Sequence, residues 1–94
     1  MTLEEKLEEL KAATDLMFMH ALAGRGGSGG QIACARIILA LADDQPCDLS
    51  VLSNLHGKTA DAAGTLIDAY IRYGRSAVFD SKEQQIFQIK AAFA

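Results

Sequence analysis

Five of the seven residues from Gly24 to Gly30 are glycine, and an apolar run follows them directly. Gly24, Gly26 and Gly29 have the spacing of a dinucleotide-binding fingerprint, in which glycine lets backbone amides approach a phosphate at a helix N-terminus. That fingerprint and the phosphate-binding loop both need a buried β-strand before the loop, whereas a helical pattern precedes this one. The Lys-Ser/Thr pair of a phosphate-binding loop is also replaced by Gly30-Gln31. We therefore predict no nucleotide and no other cofactor here.

The glycine-rich loop also has the features of a connector. Gly24 follows the last apolar position of the first helical pattern, where a left-handed residue ends many helices. Ser28 and Gln31 have the spacing of a capping box that begins the next helix. The surplus glycine leaves two interpretations, a mobile connector or a loop closely approached by a partner's backbone. In the second, Arg25 at the tip and the neighbouring Gln31 are partner-binding residues.

The thiols and imidazoles of the chain do not form a catalytic or metal-binding pattern. Cys34 and Cys47 lack the spacing of a redox or zinc motif, so we expect two reduced thiols, with Cys34 a small core residue. His20 and His56 have no acidic or cysteine neighbours in a ligand pattern. The sequence therefore predicts a protein that is not an enzyme and holds no metal.

Composition favours a small all-α domain. The chain has 94 residues, half of them hydrophobic, with one proline, four phenylalanines and two tyrosines, so its core must be built from Ala, Leu and Ile. The net charge of −3 argues against an electrostatic nucleic-acid binder, which is usually basic. No apolar run approaches the ~18 residues of a membrane span, and no signal-peptide pattern opens the sequence. We expect a cytoplasmic protein with no membrane partner.

Periodicity and capping residues divide the chain into helices. Capping residues are expected at Thr2 (with Glu5), Asp48, Thr59 and Asp80 (with Glu83). The predicted architecture is a single domain, 1–94, that forms a bundle of about five helices over residues 3–22, 29–42, 49–55, 60–73 and 81–93. The stretch 76–79 is predicted to be a linker with buried hydrophobic residues or a short extended piece.

The first predicted helix has more apolar surface than packing against one neighbouring helix would bury. Its stripe has a 4-3-4-3-4 spacing and consists of Leu3, Leu7, Leu10, Thr14, Met17 and Ala21, widened by Phe18 and Leu22. Either the helix lies centrally in the bundle and is covered on two sides, or it is the interface of a homodimer or of a complex with a partner.

The opposite side of the first helix is acidic. Residues 1–22 hold five carboxylates against two lysines, which leaves −3, the net charge of the whole chain. Four of these carboxylates are Glu4, Glu5, Glu8 and Glu9. They form either a solvated face or a surface that docks on a basic protein groove. Arg36 must point outward from the apolar second helix and is a further candidate contact.

The remaining helices are predicted to bury one face each. The residues of these faces would be Ile32 or Ala33, Cys34, Ile37, Ile38 and Leu41 in the second helix; Leu49, Leu52 and Leu55 in the third; and Ala63, Leu66, Ile67, Tyr70 and Ile71 in the fourth. In the fifth helix, Ile86, Ile89, Lys90 and Phe93 lie along one face. The second helix is expected to be the buried central one. His56-Gly57 should end the third helix, and Gly64 should mark a close approach of two helices.

The basic residues near the fourth helix give an alternative interpretation. Short links between the second, third and fourth helices resemble a helix-turn-helix, with Lys58, Arg72 and Arg75 at the ends of the recognition helix. Asp61 and Asp68 would then occupy positions where contact with DNA is needed. A small dimeric DNA-binding regulator is therefore the second choice, and nucleic acid is not the expected partner.

The segment from Gly29 to Leu55 resembles a family of small uncharacterised helical proteins of bacterial phages and integrative elements. The shared features are Gly30-Gln31, an alanine-rich helix that reads Ala-Arg-Ile-Ile-Leu-Ala-Leu over 35–41, and Asp48-Leu49 followed by Leu52. The resemblance implies provenance from a mobile element in the bacterial cytoplasm. With small size and net acidity, it leads us to expect a stoichiometric inhibitor of a host protein or protein complex, such as an anti-CRISPR protein.

Overall fold

The computed structural model describes residues 2–22 and 29–93. Within these residues there are helices and no strands, so the predicted all-α bundle is confirmed. The elements are α1 (Leu3–Ala21), α2 (Gly29–Asp43), a 3₁₀ helix (Leu49–Asn54), α3 (Gly57–Tyr73), α4 (Arg75–Phe79) and α5 (Glu83–Phe93).

Helix α1 is capped as predicted but is only half buried. The Thr2 hydroxyl accepts a hydrogen bond from the Glu5 amide at 3.1 Å, which satisfies one of the free amides of the first turn. The buried residues all lie in the second half of the helix and are Ala13, Thr14, Met17, Phe18 and Ala21. The bundle therefore covers the apolar stripe of α1 only from its middle onward.

Helix α2 is the buried centre of the bundle, as predicted. Seven of its fifteen residues are buried: Ala33, Cys34, Ala35, Ile37, Ile38, Leu39 and Ala42. Arg36 is exposed. The core cluster also takes residues from α1, α3, α4 and α5, so all five α-helices share it.

Helix α3 runs antiparallel to α1. Thr59 Oγ1 at the start of α3 lies 3.4 Å from His20 Nε2 near the end of α1. At the opposite end, Leu3 and Tyr73 line the same groove. Helix α3 buries small residues, Ala62, Ala63 and Ala69, around Leu66. Because alanine occupies three of these four positions, α3 can lie close to α1.

The segment after α3 is helical, where a linker or an extended piece was predicted. Gly74 has φ 85° and ψ −179°, a backbone conformation that favours glycine, and it lets the chain turn from α3 directly into α4. The hydrophobic residues of α4, Val78 and Phe79, are buried as expected. Phe79 packs edge-on against Phe18, with ring centroids 6.0 Å apart, and so joins α4 to α1.

A short helix forms at Leu49–Asn54 after Asp48, as predicted, but the expected inward orientation is wrong for Leu49 and Leu52. The segment is a 3₁₀ helix, whose three residues per turn place Leu49, Leu52 and Leu55 in one row. Leu49 is 77% exposed and Leu52 41% exposed, so that row faces largely outward. Val51 and Leu55 are the residues of this segment that pack against the core.

The predicted start of α3 is also wrong. The helix begins at Gly57, three residues earlier than expected, and the Thr59 amide already donates to the His56 carbonyl oxygen at 3.2 Å. His56 has extended backbone and directly precedes α3, so His56-Gly57 begins a helix rather than ending one. On the far side of α3, Ile71 is 76% exposed and does not belong to the buried face.

The Asp80–Glu83 capping box does not form. Ser81 has φ 63°, and α5 begins at Glu83 rather than at position 81. The Glu83 carboxylate binds Arg75 instead of turning back to the Asp80 amide. Ile86 and Ile89 are buried as predicted, whereas Lys90 is exposed and extends to an ion pair with Asp43.

Candidate functional site

An open groove of about 1160 Å³ lies between the N-terminal half of α1 and α3. Leu3, Leu7 and Leu10 line it from α1. Helix α3 contributes small residues, among them Ala60 and Gly64. Leu3 and Leu7 belong to the part of the apolar stripe that the bundle leaves exposed, whereas Leu10 is partly buried and packs against the core.

The apolar side chains of this groove are largely in contact with solvent. Leu3 is 71% exposed, Leu7 57% and Tyr73 61%. An isolated exposed leucine is ordinary on a protein surface, but several along one groove indicate a surface used for binding. The second half of α1 is central in the bundle, and Leu3 and Leu7 of its first half are exposed.

Gly64 opens the α3 side of the groove. Apart from its chain neighbours and the backbone of its own helix, no described atom lies within 4 Å of the position that its Cβ would occupy. The predicted close approach of a second helix at Gly64 is therefore wrong, because this face of α3 is turned to solvent. Glycine inside a helix costs about 1 kcal/mol relative to alanine. Here the absence of a side chain leaves space in the groove.

The charges beside the groove are acidic on balance. Arg72 Nε donates to both carboxylate oxygens of Asp68 at 3.1 and 3.0 Å, so these two side chains neutralise each other. The other charged residues that line the groove are Lys6 and Glu9 on α1 and Asp61 on α3. Two carboxylates thus stand against one ammonium group.

Three more glutamates extend the acidic surface over α1. Glu4, Glu5 and Glu8 are exposed, and the first two lie in the first turn, where negative charge interacts favourably with the helix dipole. Asp15 is not available to this surface, because Lys82 Nζ lies 2.7 Å from its Oδ1. Of the four predicted glutamates, Glu9 lines the groove, while Glu4, Glu5 and Glu8 lie on the exposed surface of α1 outside its lining. None of the four takes part in an ion pair among the described residues.

The other predicted partner contacts lie away from this region. The side-chain nitrogen Nε2 of Gln31 donates to the Ala21 carbonyl oxygen at 3.3 Å, which joins the start of α2 to the end of α1. Ala21 is twelve residues beyond Glu9, or ~18 Å along the helix. Gln31 and the four glutamates thus do not form one patch. Arg25 and Ser28, with most of the glycine-rich loop, lie outside the described residues.

The three basic residues of the DNA-binding alternative are not brought together. Lys58 and Arg72 are fourteen residues apart on α3, or ~21 Å along the helix. Arg75 Nε donates to the Ala42 carbonyl oxygen at 2.6 Å, and its two terminal nitrogens contact the Glu83 carboxylate at 2.8 and 3.3 Å. Hydrogen bonding with Glu83 raises the pKa of Arg75, and the same contact lowers the pKa of Glu83. Two of the three cations are therefore engaged by carboxylates of the same chain.

The two cysteines are free thiols in this structure and differ in environment. Cys34 is fully buried, and this burial raises the pKa of its thiol to about 11. Cys47 is half-buried. Among residues 2–22 and 29–93, no group of three or more His, Cys, Asp or Glu side chains is arranged to hold a metal ion. No helix in this part of the chain is long and apolar enough to cross a membrane.

Sequence reasoning identified the α1 side of the groove and missed the α3 side. The missed residues line the groove from α3 and include Ala60, Asp61, Gly64 and Tyr73. A signal was present, since Ala60 and Gly64 are one turn apart, and small residues at that spacing mark a shallow line along a helix. Comparison of the chain with protein-family models, with curated proteins and with solved structures gives no match.

Proposed function

We propose that this chain is a small protein-binding module that acts by occupying a surface of its partner. The observation that carries the proposal is the first half of α1, where Leu3 and Leu7 are 71% and 57% exposed. The same turns carry Glu4, Glu5, Glu8 and Glu9. Apolar residues that face solvent beside uncompensated charge suit recognition of a complementary surface more than they suit folding.

The charge indicates what kind of surface the partner presents. An acidic, partly apolar face complements a basic one, and host proteins that handle nucleic acid carry basic grooves. Occupation of such a groove would exclude the nucleic acid. Together with the resemblance of residues 29–55 to mobile-element proteins, this supports a stoichiometric inhibitor of a host complex in the bacterial cytoplasm, similar in action to an anti-CRISPR protein.

The second candidate, a dimeric DNA-binding regulator, has less support. Arg72 is paired with Asp68, and Arg75 is paired with Glu83. Contact with phosphates would have to compete with these carboxylates. Lys58 alone would supply a weak and strongly salt-dependent interaction.

The first test is recovery of the partner. The tagged protein is purified from a bacterial lysate with and without nuclease, and a co-purifying protein is identified and then recombined with it in isolation. The proposal requires a stoichiometric complex that survives nuclease. Recovery of nucleic acid alone, lost on nuclease treatment, would favour the DNA-binding regulator.

The second test asks whether the acidic face makes the contact. Neutralisation of the four glutamates to glutamine should weaken the isolated complex at least about tenfold and flatten its dependence on salt. The control is the double variant Asp44→Asn/Asp80→Asn, which removes exposed carboxylates elsewhere and should keep full affinity. If the glutamine variant binds as well as the unmodified protein, the acidic face has no part in recognition.

A further inference from the structure

We infer that the groove between α1 and α3 binds an amphipathic helix of the partner whose polar side is basic. This inference rests on the proposed protein-binding function and names the element that the module recognises. Its evidence is the length of the groove, the open space at Gly64 and the charges on its two sides.

The groove has the length of a short helix. On α3 its lining runs from Ala60 to Tyr73, thirteen residue steps or ~20 Å. On α1 it runs from Leu3 to Leu10, seven steps or ~10 Å. A helix of three to four turns matches the longer side, and such helices dock by placing apolar residues from one face into a hydrophobic groove.

The centre of the groove can receive a large side chain. Gly64 lacks a side chain and, apart from its chain neighbours and the backbone of its own helix, has no described atom within 4 Å of where its Cβ would be. Leu7 and Leu10 supply apolar surface from the opposite helix. A leucine or aromatic anchor of a docked helix would therefore meet apolar surface from α1 and the bare backbone of α3.

The charges favour a basic helix over a second copy of this chain. Glu9 and Asp61 belong to different helices, so carboxylates lie on both sides of the groove with Lys6 as the opposing charge. Lysines or arginines that flank the apolar face of a docked helix would lie beside them. A second copy that docked through the same groove would instead bring another Glu9 and another Asp61 next to these carboxylates, which is repulsive.

The probe is a synthetic amphipathic peptide of ~14 residues, long enough for the groove, with leucines at helical spacing and lysines on the polar side. A matched peptide carries glutamate in place of every lysine. Titration into ¹⁵N-labelled protein should shift the amide signals of Leu7, Gly64 and Tyr73, and the lysine peptide should bind about tenfold more tightly or better. Equal binding of the two peptides, or shifts confined to other helices, would overturn the inference.

Variants locate the binding to the groove. Gly64→Phe fills the open space and should reduce binding of the lysine peptide at least about tenfold. Ile71→Phe adds an aromatic ring at an exposed position of α3 that does not line the groove, and it should bind like the unmodified protein. Thermal unfolding followed by circular dichroism shows that both variants are folded. Loss of binding in both, or in neither, would contradict the assignment.

Two outcomes separate this inference from the function on which it rests. If the cellular partner binds the Gly64→Phe variant normally but no longer binds the variant with four glutamines, the module is a protein binder that does not use the groove. If no protein forms a stoichiometric complex, the proposed function fails whatever the peptides do. Sedimentation at increasing protein concentration tests whether a second copy of the chain occupies the groove. A dimer that Gly64→Phe disrupts would show that it does.

Discussion

Arg75 donates a hydrogen bond from Nε to the carbonyl oxygen of Ala42 at 2.6 Å, and this contact closes the C-terminal end of α2. The last carbonyls of a helix have no partner within it, and a cation there also interacts favourably with the helix dipole. The same guanidinium binds Glu83 through its two terminal nitrogens. One side chain of α4 thus connects the central helix to the first turn of α5.

We expect Arg75→Gln to lower the free energy of unfolding by about 1 kcal/mol, because it removes a charge-assisted hydrogen bond at a helix end together with an ion pair. Arg72→Gln is the matched control, since Arg72 makes only an exposed pair with Asp68 one turn away, worth less than about 0.5 kcal/mol. Urea unfolding at neutral pH measures both. Equal losses would mean that the contact with Ala42 adds nothing to stability.

Acid should destabilise the protein through Asp43 and Glu83. Hydrogen bonding with Lys90 lowers the pKa of Asp43, and hydrogen bonding with Arg75 lowers the pKa of Glu83. Both carboxyl groups therefore bind protons more weakly in the folded state than in the unfolded state. Their contribution is complete above the ordinary carboxyl pKa values and is lost as the pH falls through the lowered ones.

The measurement is urea unfolding at a series of pH values from neutral to acidic. The double variant Asp43→Asn/Glu83→Gln should be less stable at neutral pH and should lose less stability on acidification than the unmodified protein. Parallel pH profiles for the two proteins would show that other carboxylates determine the acid sensitivity.

Gly64→Ala should stabilise the protein by about 1 kcal/mol, because alanine is the better helix former and its methyl group meets no described atom apart from its chain neighbours and the backbone of its own helix. This corresponds to a rise in Tm of about 4–8 °C for a chain of this size. Gly74→Ala should do the opposite, with a loss of about 1–3 kcal/mol, because φ of 85° is strained for a residue with a Cβ. Differential scanning calorimetry of the pair checks both signs, and a lower Tm for Gly64→Ala would show that the gap is not open.

The two thiols should react at very different rates in the native protein. Cys34 is fully buried, and burial raises its pKa to about 11, so little thiolate forms at pH ~8. Cys47 is half-buried and should be the first to react with an aromatic disulfide reagent. Mass spectrometry should find one label on the folded protein and two in guanidinium chloride. Two labels at equal rates under native conditions would contradict the buried position of Cys34.

Local patterns were sufficient for the long helices and insufficient for the short ones. Helix α1, its cap at Thr2 and the central place of α2 follow from long apolar periodicities and one capping residue. Leu49, Leu52 and Leu55 have a spacing that an α-helix and a 3₁₀ helix share, and only packing decides which forms and which way the row points. Gly57 is equally suited to ending one helix or beginning the next.

The candidate site likewise has features that the sequence shows and features that depend on packing. The excess of apolar residues on α1 and its four glutamates are visible in the sequence. Which half of the stripe stays exposed depends on where α3 packs against α1. The residues of α3 at that contact are mostly alanines, whose pattern in the sequence does not show which face of the helix is buried. For the same reason Ile71 was expected inside and Gly64 at a helix contact, and both predictions were wrong.

The open space at Gly64 also allows the protein to be labelled so that it reports the binding of a ligand in the groove. Cys34 is inaccessible, so a Gly64→Cys/Cys47→Ser variant would present a single reactive thiol at the centre of the groove. An environment-sensitive dye attached there would sit among Leu7, Leu10 and Ala60, and its emission would report occupancy directly. Peptide libraries or cell fractions could then be screened by fluorescence, even before the ligand is identified.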